Sequence, residues 1–184
     1  LSASASAFLS HWKSLRSDAA LVPSSCDYLD RVNPALQPFV AFSDLDPLQR
    51  HTIALYGTAL VEQWGKDMTG QTIQCTPANP PSMQLLENLS RCAAHPCGLW
   101  EISRFATSKG RIILREILAL PLATGRTGRT RLARYHHVIE DLGEVELFTG
   151  LVETLDKQWL DIGQGRPALP PQVIAASAVR PIKT

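Results

Sequence analysis

The chain has 184 residues, of which 45% are hydrophobic and 19% charged. That is enough for one ordinary domain with a full core and short of two, and it excludes disorder over most of the length. Its 18 Lys and Arg against 17 Asp and Glu leave a formal charge of +1, which excludes the field that a general nucleic-acid coat or an anionic-membrane binder needs.

The small residues Ser2 to Ala7 predict an unstructured start, and Leu1 in place of methionine implies residues upstream of it. From Ala7 to Leu21 the apolar Phe8, Leu9, Trp12 and Leu15 fall on one stripe of a helix, with Lys13, Arg16 and Asp18 on the other side. Such a stripe has to be covered by its own domain or by a second copy. The expectation is a homodimer or signalling-partner surface made by Phe8, Trp12 and Leu15. Val22 to Pro38 reads as connecting structure with a short helix near Tyr28 to Val32, so residues 1–37 form a leading segment.

Phe39 to Phe42 is a short strand, followed by an Asp44-Leu-Asp-Pro turn, and His51 to Tyr56 is a second strand. Gly57 ends it, Thr58 is the expected N-cap of a helix through Leu60 and Trp64, and Gly65, Asp67 and Gly70 close the helical section. After a loop over Pro77 to Pro81, Ser82 is the expected cap of an amphipathic helix carrying Leu85, Leu86, Leu89, Cys92 and Ala93, which Pro96 ends. Leu99 to Thr107 and Arg111 to Leu120 form a hairpin across Ser108-Lys109-Gly110. Arg134 to Glu140 is a further strand after the turn-rich Thr124 to Thr130. Gly143, Gly150 and Gly163 interrupt the remainder of the chain, so residues 143–184 are expected to be a C-terminal extension and tail. The predicted fold is α+β: a five-stranded antiparallel sheet over residues 38–142, with the helices packed on one face and roofing a cavity.

The stretch Ile53-Ala-Leu-Tyr-Gly-Thr-Ala-Leu-Val-Glu-Gln-Trp-Gly-Lys-Asp-Met-Thr-Gly-Gln-Thr-Ile73 resembles the strand-to-helix signature of a bacterial group of PAS domains, with Met68 in the usual Leu place. The order of elements from about Leu9 to Leu142 is similar to that group by pattern. The resemblance implies a PAS-like sheet, usually dimeric, which senses a small molecule, redox state or partner and signals through its flanking helices. It names no cofactor. The matching residues Gly57, Thr58, Leu60, Gly65, Asp67 and Gly70 read as structural.

The expected cavity lies between the sheet and the helices carrying Leu60, Trp64, Leu85 and Leu89, with Tyr56, Trp100 and His136 or His137 adding polar contacts. It suits a small apolar or aromatic ligand. Cys92-Ala-Ala-His95-Pro-Cys97 raises a haem or metal alternative, with His136 as a further ligand, but no CxxC or HxxxH frame completes it, and Cys92 also fits the core stripe. No Cys lies between Gly57 and Gly70, as covalent flavin photochemistry would require. Arg126, Arg129, Arg131 and Arg134 read as a solvated loop balanced by Glu140, Asp141, Glu144 and Glu146, without the aromatic platform of a nucleic-acid site. No GxSxG, P-loop, HExxH or Rossmann fingerprint is present, and a hydrolase built on Cys92 and His95 lacks a third orienting group. With four cysteines, Cys26, Cys75, Cys92 and Cys97, in no paired framework, a reducing, cytoplasmic setting is expected. No apolar run reaches membrane-spanning length, because Arg115 and Glu116 break Ile112 to Leu120. The expected function is therefore a non-catalytic sensory or regulatory domain that binds a small ligand, a protein partner, or both.

Overall fold

The central strands are buried on both sides of the sheet, and this decides the architecture. In the computed structural model, which describes residues 1–17, 20–46, 50–73, 80–125, 129–144 and 150–168, Arg111–Ala123 forms a strand (β5) that is almost continuously buried from Ile113 to Leu122. A run buried in this way cannot belong to a sheet with one wet face. The sheet has seven strands, β1 (Val40–Leu45), β2 (His51–Tyr56), β3 (Thr72–Ile73), β4 (Gly98–Ala106), β5, β6 (Thr130–Glu144) and β7 (Gly150–Leu160), in the order β3-β2-β1-β6-β5-β4-β7. Every pairing is antiparallel.

This overturns the expected five-stranded, PAS-like sheet with helices on one face. The five segments read as strands do lie in the sheet, but it is extended at both edges and covered on both faces. The extension after Gly143 is no loose tail as far as Leu160, since β7 pairs along the whole of β4. Only its ends, Leu151 and Trp159, are buried, while Thr154 to Gln158 are exposed, so its sequence lacks the alternation that marks a strand.

One face is covered by α1 (Ala3–Ser14) and α2 (Ser25–Asp30). Helix α1 begins within the stretch expected to be unstructured, because the Ser2 hydroxyl accepts a hydrogen bond from the Ala5 amide and caps it. Its stripe is spent on its own sheet: Phe8 and Trp12 are fully buried and Leu15 nearly so. Phe8 stacks on Tyr135 at 5.3 Å between ring centroids, Tyr28 meets Phe42 edge-on, and Trp12 Nε1 donates to the Pro121 carbonyl at 2.9 Å. Phe8, Trp12 and Leu15 therefore do not form the free dimer or partner surface that the helical pattern suggested. Trp100, expected in the cavity, also belongs to this side, where its indole N–H donates to Glu116 Oε1 at 2.7 Å and the Ser2 amide donates to the same oxygen.

The other face carries α3 (Thr58–Trp64) and α4 (Pro80–Ala94). Gly57, not Thr58, occupies the N-cap of α3, with ordinary φ and ψ and no side-chain cap. It has to be glycine because a Cβ there would sit 2.3 Å from the Pro38 carbonyl oxygen. Gly65 ends the helix in the left-handed region at φ 86°, its amide donating to Val61 O. Asp67 accepts from the Thr69 amide, Thr69 Oγ1 accepts from the Tyr56 amide, and the Gly70 amide donates to Ile53 O, which ties the segment after α3 back to β2. The Ser82 cap and the Pro77 to Pro81 loop fall on residues whose side chains or backbone lie outside the described set.

Two substitutions test these packing arguments by urea denaturation. Phe8→Ala lowers stability by about 3–5 kcal/mol, as expected of a large core side chain and not of a surface residue. Gly57→Ala costs about 1–3 kcal/mol through the clash with Pro38, although alanine is the better helix former.

Candidate functional site

Opposed residues of an antiparallel pair point to the same face, so register alone places several charged residues together. Ile117 opposes His136 and Ala119 opposes Arg134 between β5 and β6, while Arg115 opposes Ser103 and Ile117 opposes Glu101 between β5 and β4. Arg115, Arg134, His136 and Glu101 thus share the face under α3 and α4. All four are buried, at 7%, 6%, 3% and 2% exposure.

A cavity of about 260 Å³ opens on this face. Its floor is β-sheet: His51, Ile53 and Tyr56 from β2, Phe105 from β4, Arg115 from β5, and Arg134 with His136 from β6. Trp64 of α3, Met68 just after it and Leu85 of α4 form the roof. Ile73 of β3 and Gly150 with Leu151 of β7 complete the wall. The hairpin loop between β4 and β5 fixes Trp64: Ser108 Oγ donates to the Trp64 carbonyl and Lys109 Nζ to Glu62 O at 2.5 Å, a cation on the last carbonyls of α3. The Trp64 ring rests on Phe105 at 4.6 Å.

The polar groups are under-satisfied. The Arg115 guanidinium lies over Phe105, its Cζ 3.4 Å from the ring centroid, and its Nε donates a long 3.4 Å hydrogen bond to Ser103 Oγ. Among the described residues neither Arg115 nor Arg134 forms an ion pair within 4.0 Å. Arg134 Nε, His51 Nε2 and both ring nitrogens of His136 have no hydrogen-bond partner among the described residues. The buried carboxylate of Glu101 is turned to α4, where Asn88 Nδ2 donates to it at 2.9 Å and Lys157 Nζ donates to Asn88 Oδ1 at 3.2 Å.

These surroundings set the charges. Burial lowers Arg115 to about 9, with Arg134 adding to the fall, and it lowers Arg134 too. Guanidiniums nonetheless stay cationic at neutral pH. Burial, then the Arg134 charge, brings His51 down to about 3, and burial with both arginines holds His136 well below its ordinary value, so both imidazoles are neutral. Burial raises Glu101 and the Tyr56 phenol. The result is a buried, cationic wall of donors in a largely apolar cavity.

Of the residues expected to line a ligand cavity, Tyr56, Trp64, Leu85 and His136 do so. Leu60 borders a smaller void beside it, which Tyr56, Trp64, Phe105, Arg115 and His136 also share. Leu89 packs instead with Cys92, Cys97 and Leu99 in the core beneath α4. Cys92 donates to the Cys97 carbonyl, and its thiol, outside the cavity, is pushed up by the neighbouring Cys97 and by burial, which disfavours the thiolate. Among the described residues no group of three His, Cys, Asp or Glu side chains is placed to hold a metal ion. Nor do the arginines of the 126–134 stretch act together: Arg131 pairs with Asp44 of β1 through two hydrogen bonds of 2.7 and 2.9 Å, Arg134 faces the cavity, and Arg126 lies outside the described residues, as does Cys75.

The residues missed from sequence are the most telling ones, His51, Arg115 and Arg134. A signal existed. Arg115 and Glu116 are adjacent within an apolar strand, and because neighbours alternate, one of them must be buried on each face. No family model matches this chain, and no curated protein matches it. No described helix is long and apolar enough to cross a membrane.

The neutral histidines imply a definite pH response. An imidazole that charges near 6.5 when unfolded but stays neutral when folded contributes fully above about pH 6.5 and loses its contribution as pH falls toward the depressed folded value, about 3 for His51. Stability is expected to fall between pH 6.5 and 4.5 by up to about 1.4 kcal/mol per pH unit for each such histidine. His51→Leu and His136→Leu should each flatten the pH dependence of the urea midpoint over that interval.

Proposed function

We propose that this chain is a non-catalytic regulatory domain that binds a small molecule in the cavity between its sheet and the helices α3 and α4. The observation that carries the reading is a recessed cavity whose wall gathers buried donors without partners among the described residues. Protein interiors leave few voids larger than a water molecule, and buried polar groups are almost always hydrogen-bonded. A cavity of about 260 Å³ whose wall holds Arg134 Nε and both nitrogens of His136 without partners among the described residues gathers the exceptions to that second rule at one place. An apolar enclosure with a few convergent polar groups is the usual form of a ligand site.

The resemblance of residues 53–73 to the PAS signature supports a sensory role, in which occupancy is passed to a protein partner or a second copy. A ligand does this only by favouring one arrangement over another. Elements from both sheet edges, β3 and β7, meet at the cavity, and these are where occupancy would change the outer surface. The raised, buried thiol of Cys92 supports a binding role over a hydrolytic one.

Native mass spectrometry of the gently purified chain tests the reading. The expected result is a retained small-molecule mass released on denaturation, and its loss in Leu85→Trp, which fills the cavity from α4 while leaving the fold intact by circular dichroism. An empty wild-type chain that also gains no thermal stability from small apolar amphiphiles would overturn it.

A further inference from the structure

We propose that the ligand is an organic acid with one carboxylate and an apolar body, its carboxylate held between Arg115 and Arg134 and its body against Trp64, Leu85 and Phe105. This rests on the cavity being a ligand site, and it is argued from charge, donor geometry and wall composition. Two buried guanidiniums face the cavity. Among the described residues the one buried carboxylate on the same sheet face, Glu101, is engaged by Asn88 and lies beyond ion-pair distance of either arginine. Lys157 adds a further cation on the Asn88 side. With His51 and His136 neutral, the buried groups lack one negative charge. A monoanion restores the balance, whereas a neutral or cationic guest would leave buried charge uncompensated, which is costly in a desolvated interior.

The donor geometry points to the same class. Phe105 anchors the Arg115 guanidinium at 3.4 Å from its ring centroid, on the cavity wall, and a guanidinium is a planar fork of donors that matches a carboxylate. Among the described residues Arg134 Nε–H has no partner, and His136, between the two arginines in register, has both nitrogens without one, a donor and an acceptor in the neutral ring. An inorganic anion would satisfy these donors but not the rest of the wall, because Ile53, Met68 and Leu151 join the aromatic and aliphatic residues around it. Burying an apolar chain or ring there adds the hydrophobic part of the affinity.

Isothermal titration calorimetry of the intact chain with octanoate, phenylacetate, their neutral amides and inorganic phosphate tests the proposal. The acids are expected to bind at least tenfold more tightly than the amides and than phosphate. Arg134→Met should weaken acid binding at least tenfold and cost the amides less, so that the preference for acid over amide is lost, and Arg134→Lys should keep part of it. Circular dichroism and thermal melts report whether each variant is folded, and Arg115→Gln serves as the second variant if Arg134→Met is not. Acid and amide binding equally well, with both lost in Leu85→Trp, would overturn the carboxylate assignment and leave the ligand-binding reading standing. Phosphate binding as tightly as octanoate would overturn the apolar body. If no probe binds, the carboxylate assignment fails, and native mass spectrometry decides separately whether the cavity holds another ligand.

Discussion

The curl of the sheet is the constraint on which the rest of the structure depends. Strands β3 and β7 lie at opposite edges of a seven-stranded sheet, which would be about 29 Å apart at six spacings of roughly 4.8 Å if the sheet were flat. Yet both line one cavity of about 260 Å³. The sheet therefore closes toward a half-barrel, and its irregularities fall where closure needs them. Register shifts occur between Phe42 and Ser43 against β2, between Ile102 and Ser103 and between Arg104 and Phe105 against β7, and between Leu114 and Arg115 against β6. Extra residues of this kind bend and twist the strand that carries them. The last shift leaves the extra residue, Ile139, on β6 opposite the step from Leu114 to Arg115, so the bend falls in the strand that also carries Arg134 and His136.

The two faces of this sheet are built for different ends. Under α1 and α2 the contacts are aromatic and tightly packed, with Phe8, Trp12, Tyr28, Phe42 and Tyr135 interlocked and the indole of Trp12 satisfied by Pro121. Under α3 and α4 the inward residues include Ser43, His51, Glu101, Ser103, Arg115, Arg134 and His136. Polar groups of this kind, buried and partly unpartnered, oppose folding. The stability of the aromatic face offsets that opposition and lets the other face keep an open, charged interior. This division also explains why α1 cannot serve as a free docking helix: without it, the face that stabilises the sheet would be exposed to water.

The legibility of these features in the sequence depends on which local patterns survive tertiary context. Strands β1, β2, β4, β5 and β6 and the amphipathic helix ending at Pro96 are readable because their apolar periods are strong and Gly or Pro bounds them. Strand β7 is not, because its solvent-facing middle, Thr154 to Gln158, contains no alternation and it is held by main-chain pairing to β4. Tyr56, Trp64, Leu85 and His136 reach the cavity because periodicity locates their elements and the faces those elements bury. Trp100 does not, because its neighbours Leu99 and Glu101 face α4, which puts Trp100 on the other side. Arg134 belongs to a strand and not to the basic loop with which its sequence neighbours group it. A strand β6 that begins at Thr130 puts Arg134 two residues from His136 and on the same face.

The grouping of cationic residues on one face of a curled sheet has a mechanical implication as well as a chemical one. Like charges inside a cavity favour a looser arrangement when no anion lies between them, since separation and water entry both lower their energy. Under the proposed binding, an anion seated between Arg115 and Arg134 would remove that preference. Ile73 and Leu151 border the same cavity from opposite edges of the sheet, so a guest there touches both outer strands at once. A binding event at the centre can thus alter the edges without any hinge, provided the anion binds the closed arrangement more strongly than the open one.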